Sequence, residues 1–174
     1  MPSLNKFYVG AGHARELSLN QQKNRPGHKA LRKGRVSLPN QIYLITTTTL
    51  NRQRFFDNFI AACAAARCFE NTVILGDAKM LAWVLMPDHA HWLIALGHQD
   101  SLSIVVNRLK SSSSRLANLA LERCGRLWEP GFHDHALRAE EALLDTARYI
   151  VANPLRAGLV KRVGEYPFWN AIWV

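Results

Sequence analysis

The sequence predicts an α+β domain in which helices pack on an antiparallel sheet. Strand-like runs occupy 42–49 and 78–96, the second folding back at Pro87-Asp88, and helical periods occupy 54–68, 102–123 and 139–153. The resulting order of strand, helix, strands, helix, helix is that of a sheet with helices laid on it. At 174 residues, 48% hydrophobic and 20% charged, the chain suits one domain, with or without an appendage, around a sizeable core.

Residues 1–38 form the appendage. They hold Lys6, Arg15, Lys23, Arg25, Lys29, Arg32, Lys33 and Arg35 against Glu16 alone, so most of the net charge of +9 sits there. No sustained period runs through them, and Gly10, Gly12, Pro26, Gly27 and Gly34 break what pattern exists. A basic arm of this kind meets phosphate or serves as a solubilising tail. No run approaches the roughly 18 apolar residues of a membrane span, and no signal-peptide core stands near the start. Cys63, Cys68 and Cys124 form no C-x-x-C pair. The expectation is a cytoplasmic protein without a membrane partner.

From Gln41 the character changes. Ile42-Tyr43-Leu44-Ile45-Thr46-Thr47-Thr48-Thr49 is β-branched and aromatic, hence a strand. Phe55, Phe56, Phe59, Ile60, Cys63 and Ala64 recur at helical spacing and predict a helix from Arg54 to Cys68. Thr72 to Leu75 reads as extended. Ala78–Leu85 and His89–Leu96 read as a hairpin across Pro87-Asp88. A long helix follows from Leu102 to Arg123, with Leu102, Val105, Leu109, Leu116 and Leu119 as its buried stripe. Its other side shows Arg108, Lys110, Ser111, Ser114 and Arg115, a solvated face or one that holds a sugar-phosphate backbone, with Lys110 and Arg115 as the contacts. The aromatic tail from Tyr166 to Trp173 should pack back on the domain.

Met86-Pro87-Asp88-His89-Ala90-His91-Trp92 carries the first chemistry. Side chains alternate along a strand, so His89 and His91 leave one face while Ala90 and Trp92 leave the other. Two residues of strand span roughly 6 to 7 Å, which lets two imidazoles converge on one cation. The alternative is a pair of half-buried, hydrogen-bonded histidines. A metal shell also needs a third ligand.

The helix from Ala139 to Asn153 offers one. Leu143, Leu144, Ala147, Ile150 and Val151 form its apolar stripe, and Tyr149 lies about 150° from the stripe's centre at ~100° per residue. Asn153 falls one turn later on the same side, and an amide oxygen suits Mg²⁺ or Mn²⁺. A phenol is a poor nucleophile at its ordinary pKa near 10. It becomes useful where a cation polarises the phosphodiester it attacks.

These residues resemble the REP-associated tyrosine transposase family, a branch of the single-tyrosine HUH transposases. The matching strings are Gly34-Arg35, Leu38-Pro39, Ile42 to Thr46, Met86 to His91, Trp128 to Phe132, Asp134-His135-Ala136-Leu137-Arg138 and Tyr149-Ile150-Val151-Ala152-Asn153-Pro154. One departure is Ala90, where the family usually carries a bulky apolar residue. The resemblance implies a ferredoxin-like HUH fold over residues 39–174, with 1–38 as the arm. It implies that His89, His91 and Asn153 hold Mg²⁺ or Mn²⁺ and that Tyr149 is the nucleophile. The partner would be single-stranded DNA with REP-like hairpins, cut to a 5′-phosphotyrosine and a free 3′-OH, with no small-molecule substrate. Arg25, Arg32, Lys33, Arg35, Lys110, Arg115, His135 and Arg138 are the expected DNA contacts, and the enzyme would act as a monomer or homodimer. The competing readings are a hairpin-binding protein without catalysis and a phosphodiesterase that uses water.

Overall fold

The computed structural model describes residues 38–137 and 141–173. Its sheet is antiparallel throughout and contains β1 (Ile42–Thr48), β2 (Lys79–Met86), β3 (His89–Ala95), β4 (His133–Ala136) and β5 (Trp169–Ala171), in the order β4-β1-β3-β2-β5. The first four strands run in the ferredoxin-like order, and β5 extends the β2 edge. The expected α+β class and the hairpin across Pro87-Asp88 are both present.

Alternation along the strands sorts the core into two layers. Tyr43 and Ile45 of β1, Trp83 and Leu85 of β2, and Ala90, Trp92 and Ile94 of β3 point to one face. There they meet α1 (Phe59–Ala66) and α3 (Leu102–Ala120), which also pack on each other. Trp92 is fully buried, and Phe69 meets it edge-on with ring centroids 5.1 Å apart. The opposite face carries Leu44, Val84, Met86 and Leu93, and α4 (Glu141–Val151) covers part of it with Ala147, Ile150 and Val151.

Four expectations change. Phe59 and Ile60 are 60% and 68% exposed, and α1 instead buries Ala61, Ala62 and Ala65. The reason is local: a 3₁₀ turn over Phe55–Asp57 ends at Asn58, whose Oδ1 accepts from the Ala61 amide at 3.0 Å and starts a new helix. The wheel therefore restarts, and the periodic apolar residues on either side of Asn58 do not share one stripe. The run predicted as extended is a single helical turn, α2 (Thr72–Leu75), because the Asn71 side chain accepts from the amides of Val73 and Ile74.

Helix α3 ends at Ala120 rather than Arg123, and Leu119 is 76% exposed. Its buried stripe runs through Leu102, Val105, Val106, Leu109, Ser113 and Ala117. Ser113 belongs there because its Oγ donates to the Leu109 carbonyl and accepts from Trp128 Nε1 at 3.0 Å. Leu144 of α4 is likewise 41% exposed instead of on the core face.

The tail does pack back. Tyr166 donates its hydroxyl to the Leu85 carbonyl at 2.7 Å, Phe168 is buried, and β5 pairs with β2. All three cysteines are free. No helix among the described residues is long and apolar enough to cross a membrane.

Candidate nucleic-acid site

His89 and His91 leave β3 on the face that α4 partly covers, opposite to buried Ala90 and Trp92. Their rings stand edge to face with centroids 5.0 Å apart. Each Nδ1 is engaged: His89 with Asp88 Oδ1 at 2.6 Å, and His91 with Thr46 Oγ1 at 2.9 Å. An ionised carboxylate only accepts, so the His89 Nδ1 carries a proton and Nε2 is the nitrogen left to face a ligand. Thr46 is the cross-strand neighbour of His91, which is why β1 supplies that partner.

The electrostatics keep His91 ready to ligate. Burial, then the neighbouring His89 and the charges of Arg156 and Arg52, push the His91 pKa down to about 4, so it is neutral at physiological pH. Burial pushes Asp88 up, but the hydrogen bond and charge of His89, followed by Arg52, hold its carboxyl below the usual range. Arg52 Nη1 reaches Asp88 Oδ2 at 3.2 Å. Asn51 and Arg52 both adopt positive φ, 53° and 57°, a costly conformation for these residues. Surrounding bonds hold that loop: Thr49 Oγ1 donates to the Gln53 carbonyl, the Thr49 amide to Asp88 O, and the Asn51 amide to Glu129 Oε1.

Tyr149 is 49% exposed, away from Ala147, Ile150 and Val151 on the buried side of α4. Arg156 lies over its ring, 4.0 Å from the centroid, and donates Nη2 to the Tyr149 hydroxyl at 3.0 Å. The charge of Arg156 is among those that hold the His91 pKa down, and α4 packs on the sheet face from which the histidines leave.

Asn153 does not simply continue α4. The chain turns at Ala152, and Asn153 opens a second short helix, α5 (Asn153–Arg156), with Pro154 in its first turn. The Asn153 amide nitrogen donates back to the carbonyls of Tyr149 and Ile150 at 3.1 and 3.0 Å. Its Oδ1 has no partner among the described residues and is the atom free to meet a cation.

Among the described residues no three His, Cys, Asp or Glu side chains group as a metal shell. A cation held as the resemblance implies would rest on two imidazoles plus the Asn153 amide oxygen. Imidazole and carbonyl oxygen together fit Mn²⁺, and the oxygen suits Mg²⁺. The donor set therefore fits the group.

The expected DNA contacts fare differently. Lys110 is not on a solvated face: it is 8% exposed, and its Nζ donates to the carbonyls of Glu129 and Gly131. Arg115 is exposed, yet α3 lies across the sheet from the histidines. His135 is exposed on β4 and faces Leu44, while His133 faces Thr46, so both share the histidine face. Two strand spacings put β4 roughly 10 Å from β3. Arg25, Arg32, Lys33, Arg35 and Arg138 lie outside the described residues.

Thr46, Arg52 and Arg156 were not singled out in the sequence. Thr46 lies inside a strand run, Arg52 in a loop, and Arg156 beyond the predicted helix end at Asn153. A spacing of seven residues from Tyr149, two helical turns, is the one signal that points to Arg156.

The family model for IS200-like transposases matches residues 37–153. The REP-associated tyrosine transposase of Escherichia coli K12 is 32% identical over 89 residues, half of this chain and half of that protein. The chain spans about half the length of the curated relatives it matches. A solved structure of a REP-associated tyrosine transposase bound to a REP hairpin superposes with a TM-score of 0.60 at 22% identity, covering 78% of this chain and 79% of that one. That likeness establishes the fold.

Proposed function

The chain belongs to the IS200-like transposase family, and from that premise we propose that it is a REP-associated tyrosine transposase, cutting and rejoining single-stranded DNA beside hairpins. The observation that carries this reading is the exposed Tyr149 side chain, set off the buried stripe of α4, the helix packed on the sheet face that carries the half-buried histidine pair. A tyrosine kept for packing would lie on the stripe.

In the proposed reaction the Tyr149 oxygen bonds to phosphorus as the bond from phosphorus to the 3′ oxygen breaks. The phenol proton ends on that 3′ oxygen, leaving a free 3′-OH and a 5′-phosphotyrosine. The linkage retains the energy of the broken ester, and a 3′-OH attacking the same phosphorus reverses the step and releases the phenol. His89, His91 and the Asn153 amide oxygen would hold Mg²⁺ or Mn²⁺. Such an ion, when bound, polarises the phosphoryl oxygens and offsets charge in the transition state. Asp88 and Thr46 orient the imidazoles, and burial keeps His91 unprotonated.

The arm, residues 1–38, completes the reading as a phosphate-binding appendage to a catalytic domain over 39–174. Arg25, Arg32, Lys33 and Arg35 position the hairpin there. His135 extends the contact along the β4 edge, Arg138 is a further proposed contact, and Arg115 is the contact that α3 offers.

A hairpin oligonucleotide with single-stranded flanks, incubated with Mg²⁺ or Mn²⁺, should yield a covalent protein–DNA adduct that Tyr149→Phe abolishes. An adduct that survives Tyr149→Phe sinks the assignment. Tight, salt-dependent hairpin binding with no adduct in either ion would leave a binding protein without catalysis.

A further inference from the structure

We propose that Arg156 is a further catalytic residue: its guanidinium holds the Tyr149 hydroxyl before attack and neutralises the phosphoryl group as it reaches that oxygen. The inference rests on the tyrosine-nucleophile reading above and deepens it.

Three observations converge. Arg156 Nη2 donates to the Tyr149 hydroxyl at 3.0 Å while the guanidinium lies 4.0 Å from the ring centroid, so one side chain fixes both the ring plane and the hydroxyl. Its backbone is held in turn, the Arg156 amide donating to the Ala152 carbonyl at 3.0 Å within a helix that Pro154 starts. No described carboxylate forms an ion pair with Arg156, and its charge acts on His91. A guanidinium with one N–H on the phenol still presents further donors in a planar fork, the geometry that recognises a phosphate.

The chemistry follows from those contacts. Arginine stays protonated throughout, so Arg156 neither takes nor gives the proton that moves from the phenol to the 3′ oxygen. It stabilises the charge exposed on the phenol oxygen as its proton leaves and the charge on the phosphoryl oxygens as the bond to phosphorus forms. In the rejoining direction it receives the phenol oxygen as phosphorus departs. A purely structural role would make Arg156 an exposed stacking contact, with a small effect on packing and none specific to the reaction.

Single-turnover adduct formation on the same hairpin oligonucleotide with Mn²⁺ separates the two roles. For Arg156→Gln the expected rate is roughly 10²-fold lower, with hairpin affinity within about threefold of the parent protein. Arg156→Lys should recover only part of the rate, because an ammonium lacks the fork. Guanidinium chloride at millimolar concentration should restore adduct formation to Arg156→Ala, which a misfolded protein would not show. An Arg156→Gln rate within about threefold of the parent, with the Tyr149 adduct intact, overturns the role of Arg156 and leaves the nuclease reading standing. An Arg156→Ala rate that falls but does not respond to guanidinium overturns it in favour of packing. Absence of any Tyr149 adduct in the parent protein overturns the underlying reading itself.

Discussion

On one face of the sheet Ala90, Trp92 and Ile94 are sealed beneath α1 and α3, while on the other His89 and His91 remain half-buried beside α4. These residues alternate along seven positions of a single strand, so the difference lies in what covers each face. Two packed helices and an aromatic cluster of Phe69, Trp83, Trp92 and Trp128 exclude water from the first. The second has a smaller core and ends in imidazoles oriented by Asp88 and Thr46. One face is built for stability, and the other keeps polar atoms accessible.

The two tyrosines near these faces repeat the contrast. Tyr166 donates its hydroxyl to a backbone carbonyl, meets Phe168 at 5.9 Å between centroids, and is pushed up to about 12 by burial and then by Asp57. Its proton is committed to the fold. Tyr149 stands half-exposed with a guanidinium donating to it. The first phenol is a packing group and the second is the proposed nucleophile.

Substitutions on either side of this divide test it. Trp92→Ala should cost about 3–5 kcal/mol of stability, read by denaturant unfolding, because it opens a large cavity in the sealed face. A loss below about 1 kcal/mol would mean that this face is not the stabilising one.

The next effect is a pH dependence from the other face. The His91 pKa is about 4 in the fold against 6.5 ordinarily, so as pH falls the unfolded chain takes up the proton first. Stability should therefore drop between pH 6.5 and 4, by at most about 3 kcal/mol, and show no further change from this group below pH 4. Thermal melts of the metal-free protein across that range should show the slope, and His91→Gln should flatten it. An unaltered slope in the variant would assign the acid sensitivity elsewhere.

Smaller still is Asp88→Asn, which weakens the acceptor at His89 Nδ1 without emptying the site. Mn²⁺ affinity, measured by calorimetry, should fall roughly 10- to 100-fold while the melting temperature barely moves. Unchanged affinity would show that Asp88 is a turn residue and nothing more.

Much of this was legible in the chain. The strand over 42–48, the Pro87-Asp88 hairpin and the common face of His89 and His91 follow from alternation. The distance of Tyr149 from the stripe of Ala147, Ile150 and Val151 follows from the helical period. The failures were also local in origin. Asn58 and Asn71 each cap a helix start, which reset the phase of α1 and converted Thr72–Leu75 from the expected strand to a turn of helix. Lys110 reads as a surface cation, yet its aliphatic stem crosses the core edge to place the ammonium on two loop carbonyls.

The side from which each side chain leaves its strand or helix is a property of backbone geometry, the same whatever lies nearby. Composition and spacing therefore suffice for it. The partners that each side meets depend on contacts between residues far apart in the chain. The β4-β1-β3-β2-β5 order brings Thr46 to His91 across the sheet, and the segment after α3 brings the carbonyls of Glu129 and Gly131 to Lys110. Those contacts form only when strands pair and helices dock, because the free energy of closing such distances comes from burying surface that no single segment can bury alone.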